Sequence, residues 1–342
     1  MPKREQRLAP GAANPDHWRV TTLPSPGAGP AVVIVSPLAS RLRDAAARQR
    51  ITRDITRALA ARGHDEIEVV ESGVPDEIRA AAATAVGRGC GTVVVAGGDG
   101  TVRDAAGALA SSGVDVGIVP CGTGNLYASS IGLPRGLDAA IALLRTGSSR
   151  PFDVAQVHLV APPGGDSTTL PTESITFGAA CGTGFDAHVI ARTTRDMKRQ
   201  FGVAAYFIAA AGLVRQLAPQ PTAITIDGVR TEMESVVVLV VNTGEALPGV
   251  LRPRLPVPPD DGLLHVFVLP HGGILGGVRG AVELMLAEAA GTSPSGAAIR
   301  LTGTEVRVEV TPPEPTQIDG DAFPAAWLDA RMRPGALRVI TA

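Results

Sequence analysis

The chain predicts an α/β domain on a doubly wound, largely parallel sheet, followed by a second, mainly antiparallel β domain. Three observations predict this. Short β-branched runs alternate with longer Ala/Arg-rich segments between residues 31 and about 146, the rhythm of β-α units. Two of those runs lead directly into glycine-rich loops, the position where such sheets bind ligands. Beyond residue 150 the pattern becomes short strand-like runs separated by Gly, Pro and Asp turns. The 342 residues suffice for two cores, and 45% hydrophobic against 19% charged residues is globular composition.

The elements follow in order. Residues 1–30, rich in Pro, Gly, Ala and charge and without a continuous apolar run, read as a disordered tail and not a signal peptide. A strand is expected at 31–35, a helix at 41–62, a strand at 66–71 and a helix at 75–87 with Pro75 near its start. A strand at 92–96 runs into the first glycine loop, with a helix at 101–110 behind it. A strand at 116–119 precedes the second loop, and 137–146 reads as a helix. In the second domain, strands are expected at 152–159, 174–179, 222–226, 235–241, 263–269 and 304–310, interrupted by helices near 197–217 and 276–290. The domain boundaries are drawn at 31–148 and 149–332, with 333–342 a candidate to return to the first domain.

Composition narrows the chemistry. A net charge of −2 lacks the basic excess of a general nucleic-acid binder. Lys3 and Lys198 are the two lysines, so no glycine loop carries one, and phosphate must be handled without a P-loop lysine. Cys90, Cys121 and Cys181 form no CxxC pair, and the six histidines form no HExxH pattern, which argues against a disulfide framework or zinc site and for a reducing cytoplasm. The longest apolar stretch, 202–214, is well short of the ~20 residues of a membrane span. It is expected as an interior helix, with a membrane-facing or acyl-chain-lining role as the alternative.

The first loop holds Gly97, Gly98, Asp99, Gly100 and Thr101. Its glycines let backbone approach a ligand, and the helix it opens, with Thr101 as candidate cap, offers amides and a positive dipole end to phosphate. Asp99 suits such a site through a bridging Mg²⁺; the alternative is a helix cap. The second loop, Pro120, Cys121, Gly122, Thr123, Gly124 and Asn125, offers a Thr123 hydroxyl and an Asn125 amide able to cap or bind.

These loops resemble those of the diacylglycerol kinase and sphingosine kinase catalytic family. The likeness continues through IGLP at 131–134, GTGFDA at 182–187, Lys198/Gly202/Tyr206, Val241-Asn242, Asp261-Gly262-Leu263, Asp319-Gly320-Asp321 and PGAL at 334–337. It implies an ATP-binding α/β domain, a β-sandwich lipid domain and an interdomain cleft, with transfer of the ATP γ-phosphate to a lipid hydroxyl such as that of diacylglycerol. ATP contacts are implied for Ser36, Pro37, Leu38, Ala39, Ser40 and Ser72, for the stretch Gly97, Gly98, Asp99, Gly100, Thr101, Val102 and Arg103, and for the second loop at Gly122, Thr123, Gly124 and Asn125. A structural Mg²⁺ is implied at Asp261, the Leu263 carbonyl and the Pro258 carbonyl. Asp321 takes the general base's place.

Departures from the family pattern stand at Arg103 for Asn, Asp104 for Glu, Leu126 for Asp, and Asp321 for Glu. The last is one methylene shorter, a difference of ~1.5 Å. The implied mechanism is in-line transfer, with Asp99 orienting Mg²⁺ through water and Asp321 accepting the proton of the lipid hydroxyl. Arg195 and Lys198 read as a solvated helix face or as helpers at an anionic headgroup, and Asp186 as a turn residue or ligand. The expected setting is cytoplasmic, at the inner face of the membrane, with a peripheral lipid partner and a homodimer left open. A soluble-metabolite kinase of the NAD kinase type and a degenerate nucleotide- or lipid-binding protein are the rival readings.

Overall fold

The computed structural model describes residues 29–165, 167–184, 219–244, 257–270 and 299–342. The helices expected near 197–217 and 276–290, with Asp186, Arg195, Lys198 and Tyr206, lie outside the described residues, as does most of the expected tail.

The first domain places β1 (Ala31–Val35), β2 (Ile67–Glu71), β3 (Thr92–Gly97) and β4 (Asp115–Pro120) in the parallel order β2-β1-β3-β4. Helices α2 (Pro75–Gly87) and α3 (Asp99–Leu109) pack on one face, α1 (Ala45–Arg62) and α5 (Leu137–Thr146) on the other. Strand alternation divides the core accordingly. Val32, Ile34, Val93 and Val95 face α2 and α3, while Val33, Val35, Val94 and Ala96 face α1. Helix α1 begins later than residue 41 because Asp44 caps it, accepting the Ala47 amide at 2.8 Å; it ends at Gly63 with φ of 108°. The strand order reverses between β1 and β3, and the loops after these two strands flank that switch point, where doubly wound sheets bind ligands.

The second domain is a sandwich whose two sheets share a bent strand, β9 (Val229–Val241). One layer runs from the first half of β9 through β8 (Gln220–Ile226), β12 (Glu305–Val310), β15 (Trp327–Thr341) and β5 (Ser148–Val160) to β6 (Ile175–Phe177). The other runs from β14 (Asp321–Ala325) through β13 (Pro315–Ile318), β7 (Ala180–Gly184) and the second half of β9 to β10 (Leu264–Pro270) and β11 (Ile299–Gly303). Inward residues at alternate positions, among them Val157, Val238, Val266, Val308 and Leu328, fill the space between.

Strands β5 and β15 belong to both domains. Residues 327–333 of β15 pair with 154–160 of β5 in the sandwich. Its residues 337–341 pair with 148–152 of β5, and Arg338 and Val339 add parallel to Asp115 and Val116 of β4. Three residues, Pro334, Gly335 and Ala336, bulge where the register shifts, opposite Asp153. The Asp153 carboxylate accepts the amides of Gly335 and Gly262, each at 2.7 Å, and its carbonyl accepts Asn242 Nδ2 at 3.1 Å and Tyr127 Oη at 3.4 Å. The PGAL, Asp261-Gly262-Leu263 and Val241-Asn242 elements therefore meet at one buried aspartate.

Candidate active site

The two glycine loops are packed backbone to backbone. A Cβ on Gly122 would stand 2.6 Å from Gly98 Cα and 2.9 Å from Asn125 Oδ1, and the Cys121 amide donates to the Gly97 carbonyl at 2.8 Å. Gly97 itself leaves room for Thr101, whose Cβ would lie 2.5 Å from a methyl there. In α3 the first helical bond runs from the Val102 amide to the Gly98 carbonyl, at 3.1 Å, so the amides of Asp99, Gly100 and Thr101 precede the ladder at the positive end of the helix. Thr123 is exposed at the tip of the second loop.

Several side chains serve the loops themselves. Gly98 is the N-cap of α3, so Thr101 lies inside the helix instead of capping it. Val102 is a core residue, 8% exposed. Asn125, at φ of 51°, closes its own loop: Oδ1 accepts the Gly122 amide and Nδ2 donates to the Gly122 carbonyl, each at 2.9 Å. Ser36 is buried, with its amide on the Ala96 carbonyl, and Ala39 is buried too. Ser40 Oγ donates to the Cys121 carbonyl at 3.1 Å, tying the first strand's loop to the second glycine loop. Leu38 and Pro37 are left toward solvent. The Ser72 hydroxyl, implied as an ATP contact, instead opens α2: it donates to Glu77 Oε2 at 2.6 Å and accepts the Val74 amide at 3.0 Å.

Asp99 turns its carboxyl into the junction of the loops, where Oδ1 accepts the Tyr127 amide at 3.3 Å at the start of α4 (Leu126–Ser130). Burial, then the nearby Asp319, push its pKa up to about 7 against the pull of those α4 amides. A carboxylate so burdened would gain from a cation, and Asp99 fits the holding of Mg²⁺ on a triphosphate. Asp319 is also held up by burial, although its carboxylate accepts the amides of Gly178, Ala179 and Ala180 at 2.9–3.1 Å. With Gly320 it forms the two-residue turn between β13 and β14, both at positive φ (48° and 81°).

That turn delivers Asp321 to the first loop. Asp321 Oδ2 lies 3.4 Å from where a Cβ on Gly100 would stand and accepts from Arg103 Nη1 at 2.8 Å. Arg103 thus reaches the hairpin of the second domain while its guanidinium stays beside Gly100, with Nη2 3.7 Å from where a Cβ there would stand.

The site implied for a structural Mg²⁺ has another occupant. Asp261 Oδ2 accepts His265 Nε2 at 2.8 Å and Oδ1 accepts the Leu263 amide at 3.0 Å, while His265 Nδ1 accepts Arg300 Nη2 at 2.7 Å. Burial holds the His265 pKa down, in keeping with a neutral ring that donates from Nε2 and accepts at Nδ1. Pro258 brings no side-chain donor atom, and among the described residues no three His, Cys, Asp or Glu stand together as ligands. Asp261, Leu263 and Pro258 do not fit a divalent ion in this arrangement, since the ion would have to displace a histidine N–H.

Sequence reasoning passed over two arginines. Arg41 and Arg135 border a small, open cleft beside Gly122, Thr123 and Gly124. Arg41 Nη1 donates to the Arg135 carbonyl at 2.9 Å, and Arg135 Nη2 to Ser129 Oγ at 2.9 Å. The signal was available: each follows directly on a recognised motif, Ser36–Ser40 and IGLP.

Comparison with known proteins agrees with this arrangement. Residues 30–157 match the diacylglycerol kinase catalytic domain, and residues 179–341 match the YegS C-terminal NAD kinase beta sandwich-like domain. A Pseudomonas aeruginosa protein named "Probable lipid kinase YegS-like" is 30% identical over 266 residues, 75% of this chain and 78% of that one. The chain belongs to the YegS-like lipid kinase family. A Mycobacterium tuberculosis diacylglycerol kinase is 33% identical over 171 residues, 50% of this chain and 52% of that one. A Synechocystis relative is 26% identical over 255 residues, 74% of this chain and 55% of its own, so the chain spans about half the length of these last two relatives. The fold is shared with a crystal structure of a diacylglycerol kinase from Bacillus anthracis, at a TM-score of 0.68 and 21% identity over 92% of this chain and 97% of that one. No helix among the described residues is long and apolar enough to cross a membrane.

Proposed function

We propose that this family member transfers the γ-phosphate of ATP to the hydroxyl of a diacylglycerol-type lipid, working peripherally at the inner face of the cytoplasmic membrane. The observation that carries the reading is the meeting of Asp321, from the second domain, with Gly100 in the phosphate-binding loop of the first. A base offered across the domain boundary suits an acceptor held by one domain and a nucleotide held by the other.

The amides of Asp99, Gly100 and Thr101 and the Thr123 hydroxyl hold the triphosphate. Asp99 would hold Mg²⁺, which would supply charge neutralisation on the phosphates. Arg41 and Arg135 add positive potential along the second loop. Asp321 accepts the proton of the attacking hydroxyl, oriented so that the oxygen faces the γ-phosphorus.

Radiolabelled γ-phosphate transfer from Mg²⁺-ATP to diacylglycerol, ceramide, sphingosine and undecaprenol in mixed micelles, with NAD in parallel, tests the reading. Labelled phosphatidic acid is expected, with D99A and D321N at least ~100-fold slower, the lower end of what general base catalysis contributes. Label in NAD with none in any lipid would overturn it, and so would full activity in both variants.

A further inference from the structure

Two oppositely charged side chains meet across the domain boundary, Arg103 and Asp321. Arg103 comes from α3 and Asp321 from β14. They lie on different domains.

The arginine is built into place. Its side chain is 9% exposed, although Asp321 is 54% exposed. Nη1 donates to Asp321 Oδ2 at 2.8 Å and to the Ile318 carbonyl at 3.3 Å, so it grips the hairpin on both strands. Nη2 lies 3.6 Å from Asp104 Oδ1, and Asp104 in turn lies 3.4 Å from Arg79. The guanidinium stands 5.9 Å from the centre of the Phe323 ring. Its Nε is buried without a hydrogen-bond partner. An exposed ion pair contributes little to stability and needs no such burial. Desolvating a guanidinium and leaving one N–H unsatisfied costs stability, and costs of this kind concentrate where geometry serves function.

We propose that Arg103 is the positioning residue for Asp321: it fixes the short carboxylate above Gly100 and locks the β13–β14 hairpin of the second domain onto α3 of the first. The proposal rests on the reading of Asp321 as base. It adds that the base is placed by an ion pair from the nucleotide domain, not by its own length. The charges facing Asp321 are Arg103 itself, then Asp104 with Arg79 behind it, and Asp319 with Asp99 at the turn. Removing Arg103 leaves these carboxylates with only the more distant Arg79 to offset them.

The test combines amide exchange of residues 315–325 with kinetics on dioctanoylglycerol micelles and Mg²⁺-ATP. In R103Q, hairpin amides are expected to exchange at least tenfold faster. Its kcat should fall at least 30-fold with KM for ATP within twofold. R103K, which keeps charge and fold, should fall between R103Q and wild type. Hairpin exchange unchanged in R103Q overturns the proposal, as does faster exchange with wild-type kcat. If R103Q does not fold, R103K decides, and wild-type exchange and kcat there overturn it. Full activity in D321N would sink the base reading separately, while the exchange data still report on the tie.

Discussion

Replacing Gly122 by alanine probes the junction of the two glycine loops. Gly122 is not at positive φ, so the methyl adds little backbone strain and acts by contact alone. It would stand 2.6 Å from Gly98 Cα, where carbon atoms pack at ~3.5–4.0 Å. Both sides are backbone, so the loops must part by roughly 1 Å; a misplacement of that size costs about 100-fold in rate in a preorganised site. The reciprocal change, Gly98→Ala, puts its methyl 3.3 Å from Gly122 Cα and needs only a few tenths of an ångström. The expected order is G122A about 100-fold down in kcat/KM for ATP and G98A at most tenfold, measured by phosphate transfer and by calorimetric ATP binding. Gly87→Ala serves as control: it meets nothing within 4 Å at the end of α2 and should gain up to about 1 kcal/mol of stability with activity unchanged. If G122A binds and turns over ATP like wild type, the loops do not act as one cradle.

Two further outcomes follow from buried carboxylates. Asp153→Asn turns one of two 2.7 Å acceptors into a donor facing an amide, so unfolding free energy in urea should fall by about 2–4 kcal/mol; a change below about 0.5 kcal/mol would contradict the junction described for β5. Asp99, with its pKa pushed up to about 7, holds a proton in the folded chain that the unfolded chain releases above about 4. Stability of the nucleotide-free protein should therefore decline relative to D99N as pH rises from about 4 to 7 and level off above; parallel melting curves at all pH values would remove the buried-carboxyl argument.

Much of the first domain was legible because its signals are local. Uninterrupted β-branched runs at 31–35 and 92–96 cannot satisfy their apolar side chains except as buried strands, and Pro75 at the first turn sets where α2 begins. Boundaries slipped where a cap decided them, as at Asp44 and Gly98. The sandwich was less legible. The strand expected at 174–179 is the short β6, with β7 following it from Ala180, and β13, β14 and β15 carry Pro315, Pro324 and Pro334, residues that argue against strands until a bulge or an edge position accommodates them. At the site, the glycine loops could be found from spacing, but not what each side chain would do with its hydrogen bonds. Ser72 and Asn125 spend theirs on their own turns, and Asp261 meets His265 four residues on. The contact of Arg103 with Asp321 spans two domains, and no local pattern could announce it.

The long strands β5 and β15 have a consequence for how this molecule is made and moved. A piece cut after residue 157, where the catalytic-domain match ends, would leave β4 with a bare, hydrophobic margin, because the residues that cover it arrive only with 337–341. The first domain cannot finish assembling on the ribosome before the sandwich has been synthesised. Once formed, the pair runs through both halves like a beam, so a clamshell motion between them would have to break ladder hydrogen bonds.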